Sequence, residues 1–141
     1  MLSPVDAAPA PAAPSKPVLL LIEDEALVRR TIAIALTRAG YEVLEAASAA
    51  EGRAQWEANH ARLAAIVSDN MLGPGPTGLS LLRQFLELRP TLPTVLISGV
   101  LTIDVMQSIE TSSPIRCLQK PFDGRALADL IARRRRELGP G

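Results

Sequence analysis

Five residues scattered along the 141-residue chain carry side chains whose chemistry makes most sense together: Glu23, Asp24, Asp69, Ser98 and Lys120. Three are carboxylates, which repel one another when gathered, and that does nothing for folding. A divalent cation removes the cost, and carboxylates with a backbone carbonyl and waters are the oxygen set that Mg²⁺ prefers. A metal held by Asp24 and Asp69 would also ease the approach of a phosphoryl group to Asp69. Lys120 is a compact cation that can pair with an acid at rest and with phosphate oxygens afterwards, and Ser98 offers a hydroxyl donor. Phosphoryl transfer asks mainly for positioning and charge neutralisation, and this set supplies both. Each residue also has a plainer reading alone. Glu23 and Asp24 can open a helix, Asp69 can cap a turn, Ser98 can be a structural hydroxyl, and Lys120 can be a solvated surface charge.

The elements around these residues decide between the two readings. "VLLLI" (18–22) is a continuous apolar run that suits a strand covered on both faces. "ALVRRTIAIALTRAG" follows, with Val28, Thr31, Ile32, Ala35, Leu36 and Ala39 at helical spacing and Gly40 as a stop. "YEVLEA" (41–46) alternates as a less buried strand, and Ser48 with Glu51 forms a capping box for the next helix. Further strands are predicted at 63–68, 93–99 and 115–119, with helices at 78–90, 102–110 and 123–138. Five strands alternating with five helices give an α/β fold with right-handed crossovers, a doubly wound, mostly parallel five-stranded sheet. Ligands of such sheets bind beyond the carboxyl ends of the strands. Those ends carry Glu23 and Asp24 after the first strand, Asp69 after the third, Ser98 on the fourth and Lys120-Pro121 after the fifth. Their joint occurrence at one edge favours a site over five unrelated roles.

Here the chain resembles the receiver domains of two-component response regulators, through "LLLIEDE", "IVSDNML", "VLISG" and "LQKPF" in order. The resemblance covers about residues 17–138. It implies a flavodoxin-like (βα)5 fold with strand order 2-1-3-4-5 and a role for each matching position. Asp69 becomes the phosphoacceptor, attacking a phosphohistidine or a small phosphodonor. Asp24, Asp69 and the backbone carbonyl of Met71 hold Mg²⁺, with Glu23 acting through a bound water. Ser98 is the switch hydroxyl, Lys120 contacts the phosphoryl group, and a cis peptide bond precedes Pro121. The implied partners are a histidine kinase or histidine phosphotransfer protein and a further downstream protein. The first helix is the docking element, with Leu27 and Ile34 as candidate contacts.

Three departures stand out. The loop "NMLGPGPTGL" is one residue longer than the commonest family pattern, with Gly73 where proline is usual. Cys117 replaces the aromatic residue that normally follows the switch hydroxyl inward, which puts the usual output coupling in doubt. Met71 and Val100, both apolar, flank the route by which water reaches the phosphoryl group, so slow self-dephosphorylation is expected.

Composition narrows the remaining choices. Net charge is zero and apolar residues make up 48%, so no overall field draws the chain to nucleic acid or an anionic membrane. "RRRR" (133–136) reads as the solvated end of the last helix. No apolar run nears the roughly 20 residues of a membrane span. A single cysteine and no secretory signal fit the cytoplasm. Residues 1–17, rich in alanine and proline, read as an unstructured tail before a domain at 18–138. A chain ending about twenty residues after Lys120 leaves no room for an output domain. The leading expectation is therefore a single-domain response regulator, a monomer or weak dimer, that catalyses only its own phosphorylation and dephosphorylation. A phosphorylation-independent interaction module and a receiver excised from a hybrid histidine kinase remain alternatives. A haloacid-dehalogenase-type phosphatase would need a second acid where Met71 stands. No GxxxxGK[ST] loop is present to bind ATP.

Overall fold

The computed structural model describes residues 15–139, so all but the last three residues of the expected tail lie outside the described residues. Five strands and five α-helices alternate: β1 (Val18–Ile22), α1 (Ala26–Arg38), β2 (Glu42–Ala46), α2 (Ala49–Asn59), β3 (Leu63–Asp69), α3 (Gly78–Leu88), β4 (Thr94–Ser98), α4 (Ile103–Ser112), β5 (Arg116–Gln119) and α5 (Gly124–Leu138). The strands form one parallel sheet, as the alternation of elements predicts, in the order β2-β1-β3-β4-β5 that the family resemblance implies. Pro17 lies just before β1, and its carbonyl accepts the N–H of Glu42 at 2.9 Å.

The three central strands are apolar without alternation because helices cover both faces. Leu20, Ile22, Ile66 and Leu96 point to the side of α2, α3 and α4, where Trp56 stacks on Phe85 with ring centroids 4.2 Å apart. Leu19, Leu21, Val67 and Ile97 point to the side of α1 and α5, against Ile32, Leu36, Leu127 and Ile131. Each such side chain contributes about 1.5–3 kcal/mol by leaving water, so strand positions on both faces are fixed to within a side chain. The strand ends inherit that rigidity.

Two packed faces differ from the sequence reading. In α1 the stripe runs through Ile32, Ala33 and Leu36, and Thr31 and Ala39 are exposed. The helix is turned so that Ala33, small enough for close approach, meets the sheet. In α5 the buried stripe is Leu127, Ile131 and Arg134. Arg134 is only 8% exposed, so the "RRRR" run is not simply a solvated helix end. Continuing the stripe three residues beyond Ile131, its guanidinium donates to the carbonyl of Pro114 at 3.0 Å and to Glu137 at 3.3 Å.

Candidate functional site

The expected strand ends do converge. β3 extends one residue further than the pattern predicts, making Asp69 its last residue, paired with Ile97 of β4. β1 stops at Ile22, and Glu23 continues its line with its N–H donated to Ala46 at 3.0 Å. α1 starts only at Ala26, with Glu25 at its N-cap position and no side-chain cap bond. Glu23 and Asp24 therefore do not serve as a helix cap. One carboxylate oxygen each of Glu23, Asp24 and Asp69 lies within 4.8 Å of the others. Lys120 comes in from the end of β5, where its N–H donates to the carbonyl of Ser98 at 2.8 Å and its bond to Pro121 is cis. Its Nζ donates to Glu23 Oε1 at 2.8 Å and to Asp69 Oδ2 at 3.1 Å.

Charge does not balance in this pocket. With all three carboxylates ionised, one ammonium would leave two negative charges without a partner. Glu23 is fully buried and its Oε2 has no hydrogen-bond partner. Burial, and then the neighbouring Asp69, push the Glu23 carboxyl up to about 8. Burial alone would lower Lys120, but its hydrogen bonds to Glu23 and Asp69 carry it above its ordinary value. A buried, orphaned acceptor beside two further carboxylates is the donor set of a hard divalent cation. Asp24, exposed at the mouth, is open to solvent and able to add a ligand. The residues present fit Mg²⁺.

Ser98 and Met71 stand differently. Ser98 is buried at the end of β4, and its Oγ accepts the N–H groups of Val100 and Leu101, both at 3.1 Å. It is spent on its own loop and makes no bond to Asp69. The N–H of Met71 points to Asp69 Oδ1 at 3.4 Å, and its side chain is exposed, as is that of Val100. Cys117 is half-buried against the α4 side of the core. Burial and the nearby Glu110 push its thiol up to about 11, which removes it from ready thiolate chemistry near neutrality.

Several residues that hold the site gave no clear sequence signal. Asn70 fastens the loop after Asp69: its N–H donates to Ile97, its carbonyl accepts from Gly78 and its Oδ1 accepts from Leu79. Gly78 opens α3 against the backbone of Asp69, where a Cβ would sit 1.9 Å from the Asp69 carbonyl oxygen. Between them Gly73 and Gly75 take positive φ, which explains the glycines of the longer loop. Arg29, from α1, donates to the Glu23 carbonyl at 2.8 Å and to Glu45 at 3.3 Å. Hydrogen bonds between backbone and side chain set these roles, and such bonds leave little trace in hydropathy.

Comparison with known proteins agrees with this geometry. The family model for the response regulator receiver domain matches residues 19–132. The phosphate regulon transcriptional regulatory protein PhoB of Pseudomonas aeruginosa is 33% identical over 126 residues, 87% of this chain and 53% of that protein. The sensor kinase CckA of Brucella abortus is 31% identical over 113 residues, 80% of this chain and 12% of that protein. The chain thus spans about half, or less, of the length of these relatives. Among solved structures, the receiver domain from the hybrid histidine kinase CckA aligns with TM-score 0.69 and 32% identity. That alignment covers 83% of this chain and 97% of that one. A receiver domain protein from Clostridium thermocellum, with TM-score 0.78, 23% identity and 86% and 95% coverage, shares the fold.

Proposed function

This chain belongs to the response regulator receiver domain family, and from that premise we propose that it accepts a phosphoryl group on Asp69 from a histidine kinase or histidine phosphotransfer protein. It then signals by phosphorylation-dependent protein contact or by onward transfer. One feature carries this reading above all: Asp69, buried at a strand end, shares the Lys120 ammonium with Glu23, whose second oxygen lacks a partner. Such a pocket is poised for added positive charge and for a phosphoryl group to follow.

Asp24, Asp69 and the Met71 carbonyl would hold Mg²⁺, with Glu23 acting through a bound water. When bound, Mg²⁺ supplies neutralisation of the phosphoryl oxygens. The chain's own residues do the rest. The carboxylate of Asp69 attacks phosphorus in line with the leaving histidine nitrogen, forming the acyl phosphate as the P–N bond breaks. Lys120 exchanges part of its hold on Asp69 Oδ2 for a phosphoryl oxygen, keeping its bond to Glu23. Ser98 turns its hydroxyl from the Val100 and Leu101 amides to another phosphoryl oxygen, freeing that loop to rearrange. Beside Lys120 lies an apolar groove of about 530 Å³ formed by Leu27, Val28, Ile32, Pro121 and Phe122. Leu27, 81% exposed, supports docking of the donor there. Ile34, on the same helix, is also exposed.

Incubation with acetyl phosphate and Mg²⁺, read by intact mass, tests the reading. One phosphoryl group is gained, and none in Asp69→Asn. Failure of the wild-type chain to gain it under conditions that preserve the fold would leave the phosphorylation-independent module standing. A second reading, service as the receiver of a hybrid kinase, is favoured by the likeness to the CckA receiver.

A further inference from the structure

The opposite edge of the sheet carries a cleft that phosphoryl transfer does not use. It has a volume of about 610 Å³ and lies where β3 and β4 begin, against the last turns of α5, with Arg62, Arg89, Arg135 and Arg136 in its lining. Arg62 is paired with Glu42 at 3.4 Å. Among the described residues the other three arginines form no ion pair.

Neutral groups hold two of those three in place. Arg89 Nη1 donates to the carbonyls of His60 and Leu63, both at 2.7 Å. Arg135 Nη1 donates to the Tyr41 hydroxyl at 3.3 Å, and its guanidinium lies 5.5 Å from the centre of that ring. Carbonyls, a phenol and an aromatic face fix a guanidinium without cancelling its charge. Two guanidiniums are thus held charged in the cleft, Arg136 adds a third to its lining, and among the described residues no acid pairs with any of them.

We propose that this cleft binds a small polyphosphate, of the size of a nucleoside di- or triphosphate. Guanidinium forks match phosphoryl oxygens in pairs. Three cations with no ion pair among the described residues call for an anion with at least two charges. The volume lies within the roughly 300–1,000 Å³ of small-molecule sites and exceeds what one phosphate fills. A concave cleft on a chain of zero net charge favours a small ligand over a nucleic-acid track. The site is distinct from the acidic pocket and independent of phosphorylation at Asp69.

Calorimetric titration of the full chain with tripolyphosphate, ADP and ATP, in EDTA and 150 mM-range salt, tests this directly. EDTA keeps metal–nucleotide complexes away from the acidic pocket. One saturable site is expected for polyphosphates, weakened about tenfold or more in Arg135→Gln/Arg136→Gln and unchanged in Arg125→Gln on the other end of α5. If the double variant does not fold, Arg136→Gln alone, at an exposed residue, carries the test with a several-fold loss. Equal affinity for ADP and tripolyphosphate assigns recognition to the phosphates, whereas tighter ADP binding adds the nucleoside. The proposal is overturned by no saturation up to about 5 mM, by equal binding of sulfate, by an unchanged double variant, or by binding of oligonucleotides alone with steep salt dependence.

Discussion

Replacing Asp69 with asparagine should have an effect on stability that depends on pH, because Glu23 changes charge beside it. In the metal-free protein, Glu23 keeps its proton up to about 8, against 4.5 for an ordinary glutamate. The folded state therefore binds more protons than the unfolded chain across that interval. The stability this gives is complete below 4.5 and falls as pH rises through about 8. With Glu23 neutral at pH 6, Asp69 faces mainly Lys120, at 3.1 Å. At an effective dielectric of about 20, that attraction is worth roughly 5 kcal/mol before desolvation. Once Glu23 ionises, a carboxylate oxygen within 4.8 Å of Asp69 becomes a like charge. The same dielectric makes this repulsion about 3 kcal/mol. Asp69→Asn should thus cost stability in EDTA at pH 6, and more than half of that cost should be gone at pH 9. The swing is about 3 kcal/mol, roughly 10 °C in melting temperature for a domain of this size. Thermal unfolding by circular dichroism at both pH values, in EDTA and then in excess Mg²⁺, reads it. Mg²⁺ should restore the wild-type protein at pH 9 and leave the variant unmoved. An Asp69→Asn effect of the same size at both pH values would refute the electrostatic account of the pocket.

Other expectations follow from single contacts. Gly78→Ala forces a methyl group into the Asp69 carbonyl; overpacking of this kind costs about 1–3 kcal/mol, visible in urea unfolding, and a neutral outcome would mean that α3 moves freely. Met71→Asn introduces a group able to orient water beside the acyl phosphate, so loss of phosphate followed by intact mass should accelerate severalfold; a fast wild-type rate unchanged by the substitution rules this out. Cys117, with its thiol pushed up to about 11, should alkylate with iodoacetamide far more slowly than free cysteine at pH 8, measured by mass.

The sheet was readable because its signals are long apolar runs, a helical period in the first, third and last helices and a capping box before the second. "VLLLI", "LAAIVS" and "PTVLIS" are buried on both faces and say so. Four charged or hydroxyl residues at the ends of those runs were enough to place the site on one edge. What stayed hidden depends on neighbours distant in sequence. Nothing around Glu23 announces that one of its oxygens is taken by Lys120, 97 residues away, and the other by nothing. The rotation of α1 that buries Ala33 and exposes Thr31 arises from close packing, and Thr31 satisfies its hydroxyl on the Leu27 carbonyl. Asn70 looked like a loop residue, yet three hydrogen bonds make it the fastening of that loop.

Zero net charge led to the expectation that no field directs this protein, and that inference holds only for the sum. A parallel sheet separates strand ends from strand beginnings by its whole length, and here each edge has collected an excess of one sign. Glu23, Asp24 and Asp69 lie at the ends of β1 and β3; Arg62 and Arg89 lie by the beginnings of β3 and β4, with Arg135 and Arg136 from the end of α5. Screening beyond about 8 Å at physiological salt keeps the two ends from cancelling in the field that a nearby ligand meets. An anion and a divalent cation can therefore each find a local attraction on a neutral molecule. The arginines reached their edge by different routes, through a turn, a helix end and the last helix. The field of such a chain must be computed from places in the fold, because its sequence total averages away the very asymmetry that sorts its ligands.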